Sequence, residues 1–453
     1  MPIIASGVGS GLDIANIVSQ LVAAEANPVN ARLNTKETTL GSELSAFGTL
    51  KSALTTFNDT ATKLGKSDSF NVFTSTSSNP ATFTTSVDAT AGAGNYNIEV
   101  MQLAQAAKVR SAGFTDSATV IGTGTLDVSL GANSFQVAID STNNTLTGIR
   151  DAINSATDNP GISASLISVD TGTQLVLSSS SVGAANAITV AAVDNNTTDG
   201  FDLTRLDTAN LVPLQTAQDA IIKVDTQTVT RNSNSFSDVI TGVNFNLLKA
   251  TPGTVDTLSV ATDTNAIKKD ITSFVDNYNV LVGVMKGLSN YDVSTNVAGA
   301  LNGDSVIRSI QSRLQQTLGG SISGGKFSNL SELGISLDGT GNLAIDNTVL
   351  DAKLANNLSD VKNFFSATTG YAQTFSSALS GYVASNGIID SRTEGLQNSL
   401  NGLGDQRDAL TRRIAALKTR LDKQFGAMDT LVAQLQSTGD FLTQQLANIA
   451  SIK

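Results

Sequence analysis

The sequence predicts an α+β multidomain fold: long antiparallel terminal helices form a coiled-coil stalk, and a pair of small β-rich domains is inserted between them. Three observations predict it. The last sixty residues carry an unbroken heptad seam, the first sixty carry a second helical stripe, and the text between them changes composition and alternates with a period of two.

The C-terminal seam is the strongest signal. Stepping alternately by four and three gives Leu396, Leu400, Leu403, Arg407, Leu410, Ile414, Leu417, Leu421, Gln424, Met428, Leu431, Leu435, Thr438, Leu442, Gln445, Ile449 and Ile452, and no proline interrupts it. A spacing of 3.5 keeps one stripe on a partner as two helices supercoil. The alternative, a single amphipathic helix in an ordinary core, conflicts with the length, since globular helices rarely exceed about twenty residues. Arg412, Arg413, Lys418, Arg420 and Asp422 fall off the seam, where they stay hydrated. The last half is weaker: Gln424, Thr438 and Gln445 are polar, and Gly395, Gly402, Gly404, Gly426 and Gly439 each cost about 1 kcal/mol relative to Ala in a helix interior. These last turns are expected to depend on a partner for order.

Composition removes whole function classes. The 453 residues contain no Cys, His or Trp. Disulfides, imidazole or thiol nucleophile sites and His-ligated metals are thereby excluded, and no cofactor is expected. A formal charge of −11 argues against nucleic acid, which is bound through basic patches. Apolar content of 40% is enough for a real core, yet no run approaches the ~18 apolar residues of a membrane span. Met1-Pro2-Ile3-Ile4 lacks a basic n-region, so no cleaved secretory signal is expected.

Taken in order, residues 1–12 are small and Gly-rich, with Gly7, Gly9 and Gly11 in neither the dinucleotide nor the P-loop spacing, and read as a flexible arm. Ser10 or Asp13 caps a short helix through Leu12, Ile14, Ile17, Val18, Leu21 and Val22, which Pro28 should end. A second helix from about Val29 to Leu64 carries Leu33, Leu40, Leu44, Phe47, Leu50, Leu54, Phe57, Ala61 and Leu64, with a phase slip near Phe47–Leu50. From Phe73 to Thr262 the text is rich in Ser, Thr, Asn, Gly and Ala, with sixteen Asp/Glu against seven Lys/Arg. Tyr96–Val100, Leu126–Leu130, Ser134–Ile139, Gln174–Leu177, Ala187–Val190 and Ile221–Asp225 read as strands, and Leu146–Ala156 as a helix. Helical text resumes at Ala266–Leu288 and Ser305–Leu318, and Leu333–Leu350 reads as a small hairpin turning at Gly339–Asn342.

Several stretches carry a resemblance. Gly9-Ser10-Gly11-Leu12-Asp13 with Ile17, Val18 and Pro28, then Phe47-Gly48-Thr49-Leu50-Lys51-Ser52-Ala53-Leu54, resemble the N-terminal signature of the bacterial flagellar filament cap protein (hook-associated protein 2) family. Further matches follow in order: Gly94–Val100 with Gln102–Gln105; Ala220–Val229, Asn234 and Ile240–Leu247, which resemble the repeat of hook-associated proteins; Phe274–Asn279; Gly303–Ser305; and Leu333–Ile335 leading to Gly341–Leu343 and Asp346. The stretch 108–215 is the least specific.

The resemblance implies a structural protein, not an enzyme. It implies a homo-oligomeric ring, commonly of five subunits, at the filament tip, beneath which exported flagellin folds and polymerises. It also implies passage through the flagellar type III channel without a cleaved signal, contacts with the export machinery and an export chaperone, and in some bacteria adhesion. It divides the chain into terminal leg helices (1–36 and 420–453), mobile until assembled; a helical stalk domain (37–72 and 263–419); an inner β-rich plate domain (73–107 and 216–262); and a variable outer domain (108–215). The assembly seam comprises Leu40, Leu44, Phe47 and Leu54 with Leu396, Leu400, Leu403, Leu410, Ile414, Leu417, Leu421, Met428, Leu431, Leu435, Leu442 and Ile449. Two alternatives stay open on the residues alone. One is a junction protein or flagellin. The other is a secreted carbohydrate-binding adhesin or hydrolase within 73–262, where Asp225 and Asp238 offer paired carboxylates.

Overall fold

The computed structural model describes residues 10–450, and of residues 448–450 only the helical backbone. Gly7, Gly9, Ile452 and the Ile449 side chain, all named above, lie outside the described residues. Eight helices are present among the described residues: α1 (Ile14–Leu64), α2 (Leu146–Ser155), α3 (Thr264–Ser289), α4 (Ser305–Leu318), α5 (Asn347–Asn356), α6 (Leu358–Ser366), α7 (Tyr371–Val383) and α8 (Ile388–Ala450). Phe70–Ile267 forms one compact unit, and the chain on either side of it forms the other.

In the helical unit α1 and α8 run antiparallel. Glu25 pairs with Arg413, Glu37 with Arg407 and Lys51 with Asp390, so rising numbers on one helix meet falling numbers on the other. Asp13 caps α1 by accepting from the Asn16 amide. Ser10, the other capping candidate, instead donates its amide and hydroxyl to Asp429, 419 residues away.

Pro28 does not end the first helix. It lies inside α1, which is continuous over 51 residues. An internal proline loses one hydrogen bond and crowds the preceding turn, at about 3 kcal/mol. Here α8 holds the helix on both sides of it: Glu25 meets Arg413 before the proline, and Val29 and Leu33 pack with Leu403 and Leu410 after it. Packing along a long partner outweighs the local cost.

The C-terminal half of α1 lies in the main core of this unit. The Phe57 ring packs tilted against Phe274 at 5.2 Å and edge-to-face with Tyr278 at 5.8 Å and Phe375 at 5.5 Å, gathering α1, α3 and α7 around one aromatic centre. Phe364, Phe365 and Tyr371 extend it. The hairpin expected over Leu333–Leu350 is shorter, Ile335–Leu337 paired with Leu343–Ile345. Asp338 shapes its turn by accepting from the Thr340 and Asn342 amides. Residues 347–350 already belong to α5, because Asp346 accepts from the Thr348 and Val349 amides and starts a helix there.

The second unit holds two β-rich cores. In one, Phe73–Ser77, Asp256–Thr262, Gly94–Gln102, Ala220–Val224 and Gln227–Arg231 form a five-stranded antiparallel sheet, and Ser235–Ile240, Val243–Leu247 and Phe83–Val87 form a three-stranded one. Phe83, Ile98, Val100, Ile222, Phe245 and Leu258 fill the space between them. In the other, Val212–Gln215, Ala106–Arg110, Gly172–Val182 and Ile162–Val169 form one sheet, and Asn133–Ile139, Gly124–Leu130 and Ile188–Asp194 another. Helix α2 packs with them through Leu146, Ile149 and Ile153. Alternation does the sorting: Phe135, Val137 and Ile139 are buried, while Gln136 and Ala138 face out.

The five glycines of α8 point into open space. A Cβ built at Gly395, Gly402, Gly404, Gly426 or Gly439 meets nothing within 4 Å. Gly402→Ala and Gly404→Ala are therefore expected to stabilise the helical unit by about 1 kcal/mol each, read as a higher unfolding midpoint in denaturant. A lowered midpoint would show that these glycines serve a backbone distortion instead.

Candidate assembly surface

The seam residues fall into three groups. Phe47 and Leu54 are fully buried, in the core rather than in a two-helix seam. Arg392 of α8 lies over the Phe47 ring, 6.0 Å from its centre. The second group is the helix pair itself. Leu33, Leu403 and Leu410 are buried together, with Val29, Leu40, Leu400 and Ile414 packed around them. Leu396 is also buried, and Leu44, Leu417 and Leu421 are half-buried. The third group is uncovered: Met428 is 37% exposed, Leu431 56%, Leu435 63% and Leu442 55%. The periodicity is the same throughout; what changes is the partner. α1 begins at Ile14, so among the described residues α8 beyond Asp429 has no helix of this unit opposite it.

Polar contacts fix the register. Lys51 donates to Asp390, and this hydrogen bond holds the Asp390 carboxyl below the ordinary carboxylate range. Arg407 bonds both Asn34 and Glu37. Nearer the ends, Asp429 is only 8% exposed, and it accepts from Ser10, amide to Oδ1 at 2.7 Å. Heptad reasoning has no signal for this contact, since Asp429 is off the seam and Ser10 precedes the helix.

The carboxylates considered for hydrolysis are occupied separately. Asp225 stands in a two-residue turn with Thr226, both at positive φ, and accepts from the Asn97 amide and side chain. Asp238 is paired with Arg231 at 2.8 Å. A 570 Å³ concavity in the helical unit is lined by Arg313, Tyr371 and several hydroxyls, with no carboxylate. The Tyr371 hydroxyl there donates to the Leu318 carbonyl. Among the described residues no group of three or more His, Cys, Asp or Glu could hold a metal, and no helix is long and apolar enough to cross a membrane.

A paired-helix unit whose apolar stripe runs past the described end of its partner helix has the geometry of an assembly surface. The family models say which. The flagellar hook-associated protein 2 N-terminus matches residues 10–107 and the flagellar hook-associated protein 2 C-terminus matches 217–437. The chain is 32% identical to the B-type flagellar hook-associated protein 2 of Pseudomonas aeruginosa, covering 98% of both chains. It is 34% identical to the flagellar hook-associated protein 2 of Escherichia coli, covering 99% of this chain and 98% of the relative. A crystal structure of the D1-D2-D3 domains of the flagellar cap protein FliD from Escherichia coli superposes with a TM-score of 0.61 at 32% identity, covering 78% of this chain and 99% of that one. The chain belongs to the flagellar hook-associated protein 2 family. The flagellin hook IN motif matches residues 125–181. The stretch read as least specific thus holds a recognised motif, while 220–247, read as the repeat, falls in the C-terminus model.

Proposed function

We infer that this protein caps the distal end of the bacterial flagellar filament and promotes polymerisation of exported flagellin beneath it. The observation that carries the reading is kinship over 98% of the chain with a flagellar hook-associated protein 2, joined by likeness over 78% of it to the D1-D2-D3 domains of a flagellar cap protein. The oligomer is a ring of copies of this chain, with five subunits the starting expectation. Its leg is the end of α8, whose uncovered apolar stripe gains order by docking at the filament end. The chain works outside the cell and reaches the tip through the flagellar export channel, escorted by an export chaperone. The adhesin or hydrolase alternative gains no support, since Asp225 and Asp238 each serve a local structural contact.

The test is deletion and complementation. Cells lacking the protein are expected to release monomeric flagellin into the medium and to carry short filaments or none. Antibody against the protein should label filament tips alone. Full-length filaments in the deletion strain, or label along the shaft, would overturn the reading. Purified full-length protein cross-linked at micromolar concentration should yield a closed oligomer; monomer alone at every salt concentration would remove the ring.

A further inference from the structure

The apolar stripe of α8 outlasts α1. The contacts Glu25–Arg413 and Ser10–Asp429 fix the register, so from Asp429 to Ala450 α8 runs on for about 30 Å at 1.5 Å per residue. At about 100° per residue, Met428, Leu431, Leu435, Leu442 and Leu446 span an arc of roughly 60°, and the exposed Phe441 lies about 80° to one side of it. The roughly 60° stripe suits one helix in a coiled-coil seam, with Phe441 on its flank.

Just before this stripe the charge changes sign. The chain carries −11, yet residues 412–423 hold Arg412, Arg413, Lys418, Arg420 and Lys423 against Asp422 alone. Arg413 is taken by Glu25 and Lys418 by Asp422. Arg412, Arg420 and Lys423 are exposed, and no ion pair joins them to any described residue. They lie within roughly 80° of one another around the helix. The facing part of α1 supplies no anion for them: over 14–28 its one charged residue is Glu25, already committed.

We propose that the free end of α8 selects an acidic helix. Its partner sets apolar heptad positions against Met428–Leu446. Where α1 takes over the seam, the partner is displaced onto the flank and sets carboxylates against Arg412, Arg420 and Lys423. The inference rests on the capping reading and deepens it, naming the chemistry of the surface that the leg meets at the filament end. A second copy running parallel is disfavoured, because it would bring the same three cations together.

The test uses the full-length protein, labelled and counted by electron microscopy on the ends of filaments sheared from cells that make it, between roughly 50 and 500 mM NaCl. End binding is expected to weaken about tenfold or more over that range. Arg412→Gln/Arg420→Gln/Lys423→Gln should lose about tenfold at low salt and flatten the salt dependence, with helical circular dichroism unchanged. Charge reversal of the same three positions to Glu should lose more, and Arg412→Lys/Arg420→Lys should retain binding. Salt-independent binding that the Gln variant shares with the parent would overturn this inference and leave the capping reading intact. Failure of the parent protein to bind filament ends at any salt concentration would sink both. Self-association, or binding to anionic phosphatidylglycerol vesicles, that depends on the three cations while filament binding does not would assign them to another partner and overturn the inference.

Discussion

Replacing Phe57 by Ala is expected to destabilise the helical unit by about 3–5 kcal/mol, the range for removing a large aromatic from a packed core. Phe57 is fully buried, and its ring meets Phe274, Tyr278 and Phe375 within 5.2–5.8 Å. One truncation thus removes contacts to α3 and α7 together, and little room exists for collapse because the surrounding rings already pack on each other, Phe274 edge-to-face with Phe375 at 5.6 Å. Denaturant unfolding followed by helical circular dichroism reads the effect. Leu435→Ala serves as the contrast, because Leu435 is 63% exposed and a surface change of this kind stays within about 0.5 kcal/mol. A loss below about 1 kcal/mol for Phe57→Ala would mean that the aromatic centre is not what holds α1 to α3 and α7.

The elements legible in the sequence were those whose period repeats many times. Seventeen seam positions define α8 without any partner in view, and four consecutive turns of Leu and Phe define the second half of α1. Strands were legible where Ile, Val or Phe alternate with polar residues, as in Gly124–Leu130 and Asn133–Ile139. Phe73–Ser77 escaped because it is nearly all Ser and Thr, and its burial comes from its neighbour Asp256–Thr262. Helix α7 also escaped. Tyr371, Phe375, Leu379 and Tyr382 do mark one face, but the run is short and sits in Ser- and Ala-rich text. Pro28 misled because its cost is local while the compensation lies on another helix, nearly four hundred residues away. The seam taught a second lesson. Its positions look equivalent in sequence, and periodicity alone does not say that Leu403 is 2% exposed and Leu435 63%. That difference depends on where α1 begins, which a heptad count does not contain.

That difference also sets the sharpest functional test. Leu435→Asp with Leu442→Asp is expected to leave both units folded, because each side chain is already more than half exposed and faces no residue of α1. Docking is another matter. A Leu side chain moved fully out of water contributes roughly 1.5–3 kcal/mol, and an unpaired carboxylate carried into the same contact adds its own desolvation cost. With 63% and 55% of these side chains left to bury, the two changes together remove about 2–3.5 kcal/mol of apolar burial, or more than one decade of affinity at 1.4 kcal/mol per tenfold, before the carboxylate cost is added. Cells expressing the exported double variant should release flagellin and carry short filaments, while the purified variant keeps the parent's thermal unfolding. Leu403→Asp supplies the opposite pattern. That residue is buried between α8 and α1, so its replacement should lower the unfolding midpoint before any question of docking arises. Filaments of normal length in cells that export the double variant would show that the stripe from Met428 onward does not dock. The apolar periodicity past Asp429 would then continue the helix without a partner surface, and the leg would have to be sought elsewhere in the helical unit.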